Sequence, residues 1–96
     1  MLGLVLILQG FAQEQGTRKA VARPTPTYPE LAKKMHLTGK VKIEVKVAAN
    51  GGVTHTQAIG GHPVLVQAAE ETAKHWKFET GASSTEIIVF TFSGDE

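Results

Sequence analysis

The chain has 96 residues, enough for one domain with a thin hydrophobic core. Its 10 Lys and Arg residues nearly balance its 9 Asp and Glu residues and are spread along the chain, so the sequence does not indicate a nucleic-acid-binding surface. The chain contains no cysteine. Its sequence therefore excludes a disulfide scaffold, a thiolate zinc site, a cysteine nucleophile and a lipoprotein anchor.

The N-terminus carries an apolar run, Leu2 to Ala12, that is far shorter than the ~20 residues of a membrane-spanning helix. Small residues, Gly10 and Ala12, stand at the two positions that a signal peptidase reads, and polar residues follow. We therefore predict that residues 1–12 are a cleaved secretory signal and that the mature protein begins near Gln13. Because no basic residue precedes Leu2, a truncated membrane anchor and a buried helix stay open as alternatives.

Residues 13–27 mix charged residues with Gly16 and the pair Pro24 and Pro26. This composition resists helix and favours an extended chain. We interpret the segment as an extended tether, in which a short strand can form, to a folded domain of residues 28–93.

A short helix is predicted from Tyr28 to Met35, because a proline in the first turn costs no helical hydrogen bond. Gly39 is predicted to end it. The predicted buried stripe of this helix consists of Leu31, Ala32 and Met35.

The clearest strand spans Val41 to Val47, where Val or Ile alternates with charged residues. The turn sequence Asn50-Gly51-Gly52 tolerates positive φ and predicts a hairpin, with a second strand from Val53 to Ile59. That second strand has threonines where apolar residues are expected, which favours a bulge or a lightly covered edge.

A second helix begins at Pro63 and is followed by a β-rich run, Glu86 to Phe92, that is apolar on both sides. The buried face of this helix is predicted to carry Leu65, Ala69, Thr72 and Trp76, which recur at helical spacing.

This order of elements predicts an α+β fold. A right-handed crossover through the second helix places the third strand beside the first, which gives a three-stranded antiparallel sheet with two helices packed on one face. The opposite face can stay in water, as antiparallel sheets allow. It is lined by Lys40, Lys42, Glu44 and Lys46.

A set of motifs occurs along the chain in a characteristic order and spacing. They are Tyr28-Pro29, Ala32, the run from Gly39 to Val47, Gly52-Val53, Ala68-Ala69 and Trp76-Lys77-Phe78. This set resembles the TonB C-terminal domain family, and the resemblance covers about Arg23 to Phe92. It implies a non-enzymatic periplasmic domain, without a cofactor, that grips a short extended motif near the N-terminus of outer-membrane TonB-dependent receptors and supports energy-coupled uptake, such as that of iron-siderophore complexes.

The physics of a sheet edge supports such a grip, because unpaired N–H and C=O groups template an incoming strand. We predict that the third strand is this edge. The predicted partner-binding residues on it are Glu86, Ile87, Ile88, Val89, Phe90, Thr91 and Phe92. The alternative is that Ile87, Val89 and Phe92 complete the domain's own core or a homodimer contact.

The resemblance also assigns partner contacts to the extended residues before the Tyr-Pro pair. Here they are Arg23, Pro24, Thr25, Pro26 and Thr27. Gln is common in the family where Thr25 and Thr27 stand, so the main-chain contact carries over while the shorter side chains put the side-chain contact in question. The alternative interpretation of both prolines is a stiffened tether.

Transducers of this family carry a full membrane helix and a long proline-rich linker. Residues 13–27, fully extended, reach only about 50 Å. The sequence therefore predicts a binding module, and contact with an inner-membrane proton-motive complex requires a longer N-terminus. The alternative function is a stand-alone envelope interaction or dimerisation module with no energy-transducing role.

Other polar groups do not form a recognisable site. The four histidines lack the close pairing that ligand geometry favours, so no metal site is predicted. The pair Glu70-Glu71 is interpreted as a solvated helix face, and Trp76 as a core residue and not a binding anchor. The serines at 83 and 84 have no acid-base partner nearby in the sequence, so catalysis by them is not predicted.

Overall fold

The computed structural model describes residues 11–15, as backbone, and residues 18–93. The predicted signal or anchor therefore lies outside the described residues except at positions 11 and 12. The elements in chain order are β1 (Phe11–Gln15), β2 (Ala20–Ala22), α1 (Glu30–Lys34), β3 (Gly39–Val47), β4 (Val53–Gly60), α2 (Pro63–Ala73), β5 (Lys77–Phe78) and β6 (Ser84–Phe92).

The strands form two antiparallel sheets. The larger has the order β1-β6-β3-β4, and the smaller pairs β2 with β5. The third predicted strand, β6, lies beside the first, β3, as the crossover rule requires. The predicted α+β class is confirmed, with two additions: β1 extends the predicted three-stranded sheet, and β2 and β5 form a second sheet.

The central strand β3 separates a buried face from a charged face, as its alternating sequence predicts. Its valines and isoleucine are 0–2% exposed and form the middle of the core. Its lysines are exposed on the opposite face. The period of two in the sequence therefore fixes which side of the sheet α2 covers.

The hairpin between β3 and β4 forms at the predicted turn. Gly51 has φ 90°, and the Asn50 side chain accepts a hydrogen bond from the Gly52 N–H at 2.9 Å. Gly51 also donates to the Ala48 carbonyl and accepts from the Phe78 N–H at 2.8 Å. This turn therefore closes the hairpin and also contacts β5.

The helix α1 is shorter than predicted and buries less. Ala32 is fully buried, but Leu31 is 55% exposed and Met35 is 50% exposed, so the predicted three-residue buried stripe is wrong at two positions. A helix of five residues turns little more than once, so a single position faces inward. It ends before Gly39, because His36 adopts the left-handed φ of 55°.

The helix α2 packs against the sheet through small and apolar side chains at spacings of four. Leu65, Ala69 and Ala73 are buried, whereas Thr72 is only half-buried. Small residues on this face allow the helix axis to approach the strands closely. Trp76, just after the helix, is 1% exposed, so its interpretation as a core residue is confirmed.

Candidate functional site

The side chains of β6 divide between the two faces of the sheet. Ile88, Phe90 and Phe92 are 0–1% exposed and belong to the core under the helices. Ile87 is half-buried and Val89 is 8% exposed, and alternation places both on the opposite face. The alternative that Ile87, Val89 and Phe92 complete the core is confirmed for Phe92, whereas Ile87 and Val89 lie outside the main core cluster.

The prediction that β6 is a free edge is wrong. β3 pairs with it along one flank, from Gly39 opposite Phe92 to Val47 opposite Ser84. β1 pairs with the other flank, antiparallel, from Phe11 opposite Thr91 to Gln15 opposite Ile87. Residues 11–15 do not alternate apolar and polar side chains, so they give no strand signal of their own. Main-chain groups of β6 template the pairing. Partner binding at Glu86 to Phe92 stays a prediction.

The second predicted partner-binding stretch, residues 23–27, runs between β2 and α1. Pro26 is buried, and the other four residues are exposed at the surface. The Trp76 indole Nε1 donates to the Pro24 carbonyl at 3.0 Å, which ties this stretch to the core.

The two predicted stretches approach each other at one place. Tyr28 directly follows residues 23–27, and its ring packs edge-on against the Phe92 ring with centroids 5.7 Å apart. The Tyr28 hydroxyl also donates to the Leu37 carbonyl. The C-terminal end of β6 and the start of α1 therefore lie together.

Arg18 is a buried cation that the sequence does not reveal, with 9% of its surface exposed. Its guanidinium joins the loop after β3 to the segment between β5 and β6. The acceptors are the carbonyl oxygens of Ala48 (3.0 Å), Ala49 (3.4 Å), Glu79 (2.8 and 3.1 Å) and Ala82 (2.8 Å), and the Ser84 hydroxyl (3.2 Å). We call this arrangement the Arg18 clamp.

The clamp continues through Ser84 to a buried carboxylate. The Ser84 hydroxyl donates to Glu86 Oε2 at 2.7 Å, and Glu86 is 1% exposed. Among the described residues, Glu86 Oε1 has no hydrogen-bond partner. Glu86 is in phase with the core residues of β6, so the period-two pattern could have indicated that this side chain points inward. The side chain of this predicted partner-binding residue is therefore not on the surface.

At the opposite edge of the sheet, a side chain of α2 reaches one main-chain group of β4. Glu70 of α2 is half-buried, and its Oε2 accepts from the Ala58 N–H of β4 at 3.1 Å. The interpretation of Glu70 as solvated is therefore wrong, because this carboxylate reaches the edge strand. Glu71 is exposed and lies 3.7 Å from the Lys74 ammonium, on the solvated face.

Within residues 11–15 and 18–93, no group of three or more His, Asp or Glu residues is arranged to hold a metal ion. His62 has a local role, since its Nδ1 accepts from the Val64 N–H at 3.1 Å and caps the N-terminus of α2. Over the same residues, no helix has both the length and the hydropathy needed to cross a membrane.

Comparison with known proteins agrees with this fold. Residues 24–93 match the family model described as the Gram-negative bacterial TonB protein C-terminal. Protein TonB of Escherichia coli K12 is 26% identical over 73 residues, which cover 74% of this chain and 30% of the relative. Protein TonB of Klebsiella aerogenes is 30% identical, again over 74% of this chain and 30% of the relative. The chain thus spans under a third of the length of these relatives.

Among solved structures, the solution NMR structure of the Pseudomonas aeruginosa TonB CTD superposes with a TM-score of 0.63. The match covers 82% of this chain and 88% of that chain, at 20% sequence identity. At this identity the likeness concerns the fold alone.

Proposed function

Because the chain belongs to the TonB C-terminal family, whose model matches residues 24–93, we propose that it is a periplasmic protein-binding module. Its partner is an extended segment near the N-terminus of an outer-membrane TonB-dependent receptor. The segment binds by strand addition along β6, and residues 23–27 contact it as well. The module supports energy-coupled transport and performs no catalysis of its own.

The pairing of β1 with β6 is the observation that carries this proposal. A five-residue segment with the sequence Phe-Ala-Gln-Glu-Gln lies antiparallel along residues 87–91. An antiparallel pair of this kind is joined by main-chain hydrogen bonds, which any sequence without proline can make. A flank that accepts such a sequence is suited to partners whose sequences vary, since strand addition draws its affinity from the backbone.

A peptide titration tests the proposal. The full chain, labelled with ¹⁵N, is mixed with a synthetic peptide that carries the N-terminal motif of a TonB-dependent receptor from the same organism. We expect amide shifts at residues 87–91 and 23–27. The matched control is the same peptide N-methylated at alternate residues on the edge that faces β6, which keeps the side chains but removes those main-chain donors. Absence of shifts at millimolar peptide, or equal shifts with both peptides, contradicts the proposal.

The location in the periplasm depends on export. Cleavage after Ala12 would remove two of the five residues of β1, so we propose that the exported chain keeps Phe11 and Ala12. Mass spectrometry of the periplasmic protein should find both residues. Recovery of the wild-type chain from the cytoplasm contradicts this part of the proposal.

The alternative is an envelope module that dimerises. It is favoured by the position of β1 at the end of the sheet, where its outer flank can pair with a second copy. Sedimentation at micromolar concentration separates the two functions, because a receptor-binding module needs no second copy.

A further inference from the structure

We propose that β1 is a resident strand that occupies the docking flank of β6 and must leave before a partner strand can bind there. This inference rests on the proposed function, because it concerns the same flank. The inference concerns regulation. Without a partner, β1 covers the binding flank of β6. A partner strand then binds with lower affinity, because it must first displace β1.

The register supports direct competition. The main-chain groups through which residues 87–91 pair with β1 are the groups that strand addition would use. An antiparallel partner strand on this flank would occupy the positions that residues 11–15 hold. Both strands cannot pair there at once, so binding requires exchange.

β1 is the more easily displaced of the two neighbours of β6. It is five residues long, whereas β3 pairs with β6 over nine residues and buries its apolar face under α2. Ala, Gln and Glu, which make up most of β1, are weak strand formers. A short terminal strand of this composition belongs to the least stable part of a fold, where local opening costs little.

The chain from Arg18 onward is held independently of β1. The Arg18 clamp begins three residues after Gln15 and joins two loops of the domain. The Lys19 carbonyl then accepts from the Glu79 N–H at 2.9 Å, and Ala20, opposite Phe78 in β2·β5, is 5% exposed. β1 can therefore detach while the chain stays fixed to the domain at Arg18.

This anchoring makes β1 an effective competitor. A segment joined to its site through a short linker acts at an effective concentration on the order of millimolar. If the open state is about 10% populated, the apparent affinity for a partner falls about tenfold, since only the open fraction binds. The Arg18 clamp keeps β1 close to β6, so a partner strand must bind tightly enough to displace a tethered competitor.

An opened variant of the full chain tests the inference. Ala12→Pro together with Gln13→Pro removes two successive N–H groups, one of which must point toward β6. The matched control, Ala12→Thr with Gln13→Thr, keeps both donors and raises strand propensity. In the control, hydrogen exchange should be slow at successive amides of residues 87–91. In the opened variant, alternate amides should exchange faster.

The receptor-derived peptide should then bind the opened variant about tenfold more tightly than the threonine control. Equal affinity for both, with the faster exchange established, overturns the inference but leaves the proposed function intact. Absence of binding to either protein contradicts the proposed function, and the inference with it. Because β1 lies at the end of the sheet, near-ultraviolet circular dichroism of Trp76 should be unchanged.

A locked variant provides a second test that does not depend on the prolines. Gln13 and Val89 are direct cross-strand partners, and the chain has no other cysteine, so Gln13→Cys with Val89→Cys gives one defined disulfide. The reduced form of the same protein is its control. Oxidation should lower peptide affinity at least tenfold. Equal affinity in both forms, or a disulfide that links two chains instead of closing within one, overturns the inference.

Discussion

Removal of the Arg18 side chain should destabilise the whole domain, although this residue lies near the N-terminus and outside the main sheet. The guanidinium makes hydrogen bonds of 2.8–3.4 Å to two loops and to Ser84. Bonds to a charged donor contribute roughly 1.5–3 kcal/mol each when buried, and they are not additive. Water can reach part of the released carbonyls, so we expect Arg18→Ala to cost about 2–4 kcal/mol. For a domain of this size, the Tm should fall on the order of 10–25 °C.

Urea and thermal unfolding, followed by Trp76 fluorescence, measure this effect. Arg18→Lys keeps the charge but loses the planar fork that reaches both loops, so it should restore less than half of the loss. Lys19→Ala is the control, because Lys19 is exposed and its carbonyl bond to Glu79 uses only the main chain. It should change the free energy of unfolding by less than about 0.5 kcal/mol. If Arg18→Ala costs no more than this control, the clamp does not hold the two loops together.

Three further predictions use the same unfolding assays. Gly51→Ala should lower the free energy of unfolding by more than about 2 kcal/mol, because φ is 90° and a Cβ there would overlap a main-chain carbonyl oxygen. Gly60→Ala is the control and should change that free energy little, because the space around Gly60 is open. Leu31→Ser should cost less than about 0.5 kcal/mol, because Leu31 is exposed. Ala32→Leu should cost about 1–3 kcal/mol, because it overpacks a fully buried site. The reverse order would contradict the burial of Ala32 in α1. Glu70→Ala should cost about 1 kcal/mol and increase self-association in sedimentation, because it uncovers the β4 edge; unchanged sedimentation would argue against a guarding role.

The parts of the fold that the sequence predicts well are those with local signals. The alternation from Val41 to Val47 indicates β3 and its inward face, and the turn sequence at 50–52 indicates the hairpin. Pro63 marks the beginning of α2, and its apolar spacing indicates the buried face. Each of these signals lies within one element, so no knowledge of the tertiary structure is needed to interpret it.

The features that sequence reasoning missed depend on distant partners. Arg18 and Lys19 are adjacent basic residues, yet only Arg18 is buried, because its acceptors lie 30 to 66 positions further along the chain. Residues 11–15 form a strand because they pair with main-chain groups of β6, far away in the sequence. The prediction of a free edge at β6 is wrong for the same reason. A free edge is a property of the whole sheet, and the sequence of β6 does not determine which strands lie beside it.

The outer flank of β4 and the outer flank of β6 are occupied differently, and the difference bears on where a partner strand can add. At β4, a carboxylate from α2 already accepts the Ala58 N–H, so an incoming strand must displace a charged side chain and provide a replacement acceptor. At β6, the occupant is another strand, whose hydrogen bonds an incoming strand can reproduce one for one. Exchange at β6 therefore conserves main-chain hydrogen bonds, whereas addition at β4 gives up a charge-assisted one. Glu70 therefore adds a local cost at Ala58 to any strand pairing along β4, a cost that exchange at β6 does not carry.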